Sequence, residues 1–365
     1  MDLRLNVPPQ PPEATLRARF ASALRALQSR ADFPDMLNYS ATQGRSEDRQ
    51  AAALWLRPRL GKVDPDEVLV CSGGASLLAA LATTFASRDD VIVTEALAYP
   101  GIRAVCRHFG MPLVGVAADG EGIMPSALAE TCKRVRPKIL YCTPTIQNPT
   151  TATMSLKRRY EIADVARRFD LTIFEDDAYG MLPEDAPPPL ATMAPERTYY
   201  MASLSKAVCP GLRVAYCVGP EEGRARMIEG VRVVTLHAAP LMVALASLWI
   251  EDGSAWAVLG AVRSECVARQ AIARQILNGR RIHCDPNGPH LWLSLSGRWN
   301  IPELGAYLRE KGVAAKGDGF AVDGVHPNAL RIGLGAAGSR QDLALNLEFL
   351  AGVLGDPPPH LGGAS

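Results

Sequence analysis

Ser203-Leu204-Ser205-Lys206, with Pro210-Gly211-Leu212-Arg213 close behind it, decides the fold of this chain. Two hydroxyls, one amine and one guanidinium fall within a short segment bent by proline and glycine. That set suits a phosphorylated aldehyde: the amine forms a Schiff base, and the other groups donate around the phosphate. Taken alone, Ser-x-Ser-Lys is also the pattern of a surface loop with a solvated lysine. Five further segments on either side supply the remaining parts.

The chain has 365 residues, enough for a large core and two domains, or one large domain with a smaller lobe. Apolar residues make up 48% and charged residues 21%, an ordinary globular balance. A net charge of +1 gives no electrostatic footprint for nucleic acid or an anionic membrane. No apolar run has the length of a membrane span, and the polar Met1-Asp2-Leu3-Arg4 start is unlike a secretory signal. Eight scattered cysteines with no Cys-x-x-Cys pair read as reduced packing residues of a cytoplasmic protein, and no metal site is expected.

Short β-branched runs alternate with helical patterns from about residue 66. Val68–Cys71, Val91–Thr94, Leu113–Val116, Ile139–Cys142, Leu171–Glu175 and Tyr199–Ala202 read as strands. Leu77–Ala86, Gly101–Phe109, Pro125–Val135 and Leu156–Phe169 read as the helices between them. This order implies an α/β fold, a mainly parallel sheet sandwiched by helices, with ligands beyond the carboxyl ends of its strands. A long helix is expected over Leu241–Leu277, then a smaller α+β domain containing Leu291–Leu295, Pro302–Lys311 and Leu330–Leu334. The expected division is an N-terminal arm over 1–37, belonging to the small domain, and a large domain over 38–240. An interdomain helix and small domain take 241–355, and a flexible tail takes 356–365.

Four more segments fall at strand-to-helix turns. In Cys71-Ser72-Gly73-Gly74-Ala75-Ser76, helix-start amides could cradle a phosphate while glycine permits close approach; an ordinary βα turn reads the same way. Tyr99, in Ala98-Tyr99-Pro100-Gly101, could stack on a flat heterocycle or simply pack. Asn148 in Gln147-Asn148-Pro149-Thr150 could donate to a ring hydroxyl or form an Asn-Pro turn. Glu175-Asp176-Asp177 crowds three carboxylates at a strand end, which is costly unless a cation such as a protonated pyridine compensates; a solvated loop or a cap is the alternative.

Together these segments resemble the fold-type I pyridoxal-phosphate family, the aspartate-aminotransferase-like superfamily, over roughly residues 36–350. The resemblance is closest to the aminotransferase-like domain of MocR-type proteins, carried by Gln147-Asn148-Pro149-Thr150-Thr151, Glu175-Asp176-Asp177-Ala178-Tyr179-Gly180 and Ser203-Leu204-Ser205-Lys206. It implies that Lys206 forms the Schiff base and shuttles the proton, while Asp176 keeps the pyridine nitrogen protonated. Tyr179 and Asn148 would bind the ring 3-hydroxyl oxygen, and Tyr99 would stack on the ring. Ser203, Ser205 and Arg213 would bind the phosphate with amides near Gly73, Gly74 and Ala75. Tyr39 matches a tyrosine that reaches the phosphate of the neighbouring subunit in a homodimer. Arg331 matches the arginine that grips the substrate α-carboxylate, with Asn148 and Asn6 beside the substrate.

Two departures stand out. Gly74-Ala75 replaces side-chain donors that many relatives carry in the phosphate cup, although backbone donors survive the change. MocR-type regulators also carry an N-terminal winged helix, which the stretch before Tyr39 is too short to hold. The resemblance implies an aminotransferase passing an amino group between a small L-amino acid and a 2-oxo acid. A ligand-sensing domain with little turnover, or another pyridoxal-phosphate reaction such as elimination, decarboxylation or oxidation, is the alternative.

Overall fold

Seven strands form the main sheet of the computed structural model, which describes residues 2–295, 299–315, 317–324 and 326–355. In chain order they are Val68–Cys71 (β1), Ile92–Glu95 (β2), Leu113–Val116 (β3), Ile139–Cys142 (β4), Thr172–Asp176 (β5), Thr198–Ser203 (β6) and Ala215–Val218 (β7). Their spatial order is β1-β7-β6-β5-β4-β2-β3. β1, β2 and β4 are buried along their whole length and β5, β6 and β7 everywhere but at their ends, as expected when helices cover both faces, which is why the sequence shows unbroken apolar runs. The expected strands are present with ends shifted by no more than a residue. The expected tail at 356–365 lies outside the described residues.

β7 was not foreseen, and it matters for the site. It pairs antiparallel with both β1 and β6, while the other pairs are parallel. Only a single helical turn, Leu204–Ala207, and a 3₁₀ turn, Pro210–Leu212, separate β6 from β7, too short for a parallel crossover. Because β7 runs backwards, its amino end lies at the rim where β1, β2, β4, β5 and β6 present their carboxyl ends. Arg213, just ahead of β7, is therefore delivered to the same rim as Gly73, Asp176 and Lys206.

The expected long helix at Leu241–Leu277 is two helices, Pro240–Glu251 and Ser254–Ile276, bent by 80°. Gly253 adopts φ 85°, a left-handed conformation that glycine tolerates, and Asp252 Oδ1 accepts from the Ser254 amide at 2.8 Å, closing the turn. Among the described residues no single helix is long and apolar enough to cross a membrane. The extended arm is present only to about residue 11. A helix at Leu16–Gln28 follows, its Leu27 buried in the same cluster as Trp55, Trp249 and Val258.

A three-stranded antiparallel sheet, Ile282–Cys284 (β8), His290–Ser294 (β9) and Ala329–Gly333 (β10), packs with Ile301–Glu310 and Arg340–Gly355 around its own core. The N-terminal arm lies along β10: the Leu3 amide donates to Ala314 and the Gly333 amide donates to Leu3. Gly333 and Gly335 make this approach possible, since a Cβ at either would sit 2.2 Å from the Leu5 carbonyl oxygen or 1.9 Å from that of Val7. The arm thereby carries Asn6 to the rim of the main sheet.

Candidate active site

Lys206 sits in the single turn after β6, opened by Ser203. The Ser203 hydroxyl accepts from the Ser205 amide at 3.1 Å and donates to the Ser205 hydroxyl at 3.0 Å. The Lys206 amine donates to the Asn6 carbonyl. Burial pushes its pKa down to about 8, Arg331 and Arg213 push the same way, and Asp176 opposes them. The neutral amine, the nucleophilic form, is thus accessible near physiological pH.

The three carboxylates at the end of β5 separate by strand alternation. Glu175 accepts from the Leu190 and Ala191 amides at 2.9 Å each and pairs with buried Arg159 at 3.7 Å. Asp177 accepts from Arg59 Nε at 2.9 Å and from the Tyr200 hydroxyl at 2.7 Å. Asp176, pointing the other way, accepts from the Tyr141 hydroxyl at 2.7 Å and the Ala178 amide at 3.2 Å. Among the described residues it alone of the three has no ion pair. Burial raises its pKa and those two hydrogen bonds pull it back. The need for a cation inferred for three acids therefore falls on one, because Arg159 and Arg59 serve the others.

Gly73 caps the helix Gly74–Phe85 at φ 89°, and the Arg213 guanidinium lies directly against it. A Cβ there would come within 2.4 Å of Arg213 Nη2. The amides that open this helix, at Gly74 and Ala75, have no side-chain cap. Tyr99 caps the next helix, Pro100–Phe109, with its ring folded over Gly101, where a Cβ would be 2.1 Å from Cε1. Burial raises the Tyr99 pKa, and the charges of Asp176, Arg213 and Arg331 act on it.

Arg331, in the middle of β10, donates from Nη1 to Asn148 Oδ1 at 2.9 Å and from Nη2 to the Arg4 carbonyl, with its guanidinium over the Phe320 ring at 5.1 Å. Its Nε is buried without a hydrogen-bond partner. Asn6 Nδ2 donates to the Tyr179 hydroxyl at 2.8 Å, and Asn6 Oδ1 is buried and unpartnered. Lys206, Asp176, Tyr99, Asn148, Tyr179, Arg213, Arg331 and Asn6 therefore converge. Tyr39 does not join them: it is 82% exposed, its ring edge-on to His237 at 6.0 Å.

The sequence of residues 1–350 matches the model of the aminotransferase class I and II family. The chain belongs to that family. Pyridoxal phosphate and aminotransferase chemistry come with this membership. It is 27% identical over 338 residues to the uncharacterized HTH-type transcriptional regulator YdeF of Bacillus subtilis, covering 91% of this chain and 72% of that protein. It is 29% identical over 322 residues to the 2-aminoadipate transaminase of Thermus thermophilus, covering 85% and 79%. Among solved structures it resembles the α-aminoadipate aminotransferase LysN of Thermus thermophilus, complexed with N-(5'-phosphopyridoxyl)-L-leucine. That match has TM-score 0.87 and 26% identity, covering 97% of this chain and 92% of that one.

The residues present fit pyridoxal phosphate. A glycine cradle bounded by a guanidinium and two serine hydroxyls suits a phosphate dianion, and Asp176 has no ion pair among the described residues. The buried unpartnered atoms Arg331 Nε and Asn6 Oδ1 offer a donor and an acceptor. The sequence reading missed Tyr141, which supports Asp176, and His290, whose ring lies 5.6 Å from that of Tyr179. The available signal for His290 was one polar residue opening the apolar run Leu291-Trp292-Leu293.

Proposed function

We propose that this aminotransferase acts on a small L-amino acid and a 2-oxo acid, with Lys206 as both cofactor anchor and proton carrier. The carrying observation is the presence at one rim of a buried amine with depressed pKa and a buried carboxylate that has no ion pair among the described residues. When bound, pyridoxal phosphate supplies the electron sink that stabilises charge at the substrate Cα. Asp176 would hold the pyridine nitrogen protonated, and Tyr141 keeps that carboxylate oriented. Gly73, Gly74, Ala75, Ser203, Ser205 and Arg213 would hold the phosphate. Tyr99 would cover the ring, while Tyr179 and Asn148 address its 3-oxygen. Arg331 would fork onto the substrate carboxylate, and the Lys206 amine, once released by the incoming substrate, would move the proton at Cα.

A homodimer completes the reading. Leu37, Tyr39, Val233 and Leu236 are exposed at 66%, 82%, 78% and 42%, and the Tyr39–His237 contact joins these segments into one surface. A second copy of the chain would cover that surface and receive Tyr39 at its phosphate cup. A cytoplasmic setting belongs to the same reading, supported by eight cysteines placed as packing residues, six of them buried.

Absorbance spectroscopy tests the proposal. With pyridoxal phosphate the protein should turn yellow, bleach with its amino donor and recover the band with a 2-oxo acid. A band that shifts with amino acids but never bleaches would replace turnover by ligand sensing, the role suggested by regulator relatives such as YdeF. No band at all would overturn the cofactor site.

A further inference from the structure

His290 opens β9 with its side chain fully enclosed. Buried polar atoms need partners, and both ring nitrogens have one. Nε2 lies 3.3 Å from the Gln147 carbonyl oxygen, and Nδ1 lies 3.4 Å from Asn6 Nδ2. The His290 carbonyl is itself held by Gln270 Nε2 at 2.8 Å, so the ring is anchored from its backbone outward. The charged and titratable groups around it are Arg331, Lys206 and Tyr179. Burial, then Arg331, push its pKa down to about 3; the Gln147 bond pulls it up, and Lys206 adds a smaller downward push. The ring is therefore neutral.

A chain of donors follows from these contacts. A carbonyl oxygen can only accept, so the one proton of the neutral ring resides on Nε2. Nδ1 must then accept, which forces Asn6 to turn its NH₂ group, not its oxygen, toward the ring. That NH₂ also donates to the Tyr179 hydroxyl at 2.8 Å. With its oxygen already accepting, Tyr179 keeps its own proton free to donate into the site. The unpartnered Asn6 Oδ1 is the complement of this orientation. Were the proton on Nδ1, Asn6 would present its oxygen, and Tyr179 would spend its proton on Asn6.

We propose that His290 is a positioning residue whose tautomer sets the direction of the Asn6–Tyr179 hydrogen bonds and so aims the Tyr179 proton at the cofactor ring. This rests on the reading of Tyr179 as a donor to the ring 3-oxygen. In this proposal His290 acts through Asn6 and Tyr179.

Three substitutions separate direction from mere packing. Asparagine at 290 keeps an acceptor at the place of Nδ1, glutamine keeps only a donor at the place of Nε2, and leucine keeps neither. The readout is the pH midpoint of the absorbance band of the pyridoxal-phosphate-loaded protein. Losing a donor to the ring oxygen makes that oxygen hold its proton more tightly, so the midpoint rises. His290→Gln and His290→Leu free Asn6 to turn its oxygen to Tyr179 and should raise it by up to about one pH unit, the worth of one hydrogen bond, while His290→Asn should leave it near wild type. Asn6→Ala leaves Tyr179 no oxygen on which to spend its proton, so its midpoint should stay near wild type, and adding His290→Gln to it should add nothing. Equal midpoints for glutamine and wild type, or a rise with asparagine as large as with glutamine, would overturn the proposal. If leucine prevents folding, the asparagine–glutamine contrast still decides. The cofactor-free protein gives an independent reading through its imidazole ¹⁵N shifts. They should show a neutral ring protonated at Nε2 from about pH 5 to 8. A charged ring or an Nδ1 proton there would overturn the proposal even if the cofactor site stands. A wild-type protein that never turns yellow while showing the Nε2 tautomer would fail the cofactor reading alone.

Discussion

Burial among charged neighbours sets the chemistry of Lys206, and this has a measurable sign. A lysine whose pKa falls from 10.5 to about 8 on folding is neutral over most of the interval in which an exposed lysine is still charged. The rate at which cofactor-free protein turns yellow with pyridoxal phosphate should therefore climb between pH 7 and 9 with a midpoint near 8. A midpoint above 10 would place the reacting amine in solvent. Linkage gives the matching stability trend. Below about 8 both states are protonated and the fold bears the full cost of burying the charge, which lifts as pH rises toward 10.5. Arg331 makes a separate prediction. Replacing it with alanine removes a charge-assisted fork worth about 1.5–3 kcal/mol, so KM for amino donors should rise roughly ten- to hundredfold. An unchanged KM would move the carboxylate site elsewhere. At this scale most of the site was legible, because its chemistry needs particular residue types: an amine, an aspartate, an arginine. The sequence could not say which of Glu175, Asp176 and Asp177 lacked a cation, since Arg159 and Arg59 reach them from distant positions.

The turns that present these residues are the next scale, and Gly73 is the most exacting of them. Its φ of 89° is costly for any L side chain, and a Cβ would press on the guanidinium of Arg213. Gly73→Ala should displace Arg213 and weaken pyridoxal-phosphate binding by about tenfold or more, while far-ultraviolet circular dichroism remains near wild type. Unchanged affinity in an equilibrium titration would detach Arg213 from the phosphate. Parallel strands were legible because both faces are buried and their apolar runs are unbroken. β7 was not, since its antiparallel direction depends on the short connection through Pro210–Leu212 rather than on its own residues. The helices Leu16–Gln28 and Ser46–Leu60 also escaped notice, the first behind a proline-rich start and the second carrying Pro58 in its last turn. The break at Gly253 escaped for a related reason: apolar periodicity continues across it, and only the local Asp-Gly-Ser turn chemistry ends the first helix.

For the whole molecule, the question is whether one chain holds a complete site. Every residue assigned to the cofactor except Tyr39 lies at one rim, and Tyr39 stands on an exposed apolar surface that a second copy would cover. Only the family resemblance pointed to this, because on its own chemistry a tyrosine offered to a neighbour looks like any exposed tyrosine. Subunit mixing can detect it. Homodimers of Tyr39→Ala should bind pyridoxal phosphate weakly, and those of Lys206→Ala should show no yellow band. When the two variants exchange subunits, the Tyr39→Ala chain keeps its own Lys206 and receives an intact Tyr39 from its partner. Each mixed dimer then contains one complete site, so about one site in four across an equal mixture should bind tightly and turn over like wild type. If Tyr39 served its own chain, neither site of a mixed dimer would hold both residues, and no tight yellow sites would form. Titrating the mixture with limiting pyridoxal phosphate, before and after exchange, decides between the two arrangements.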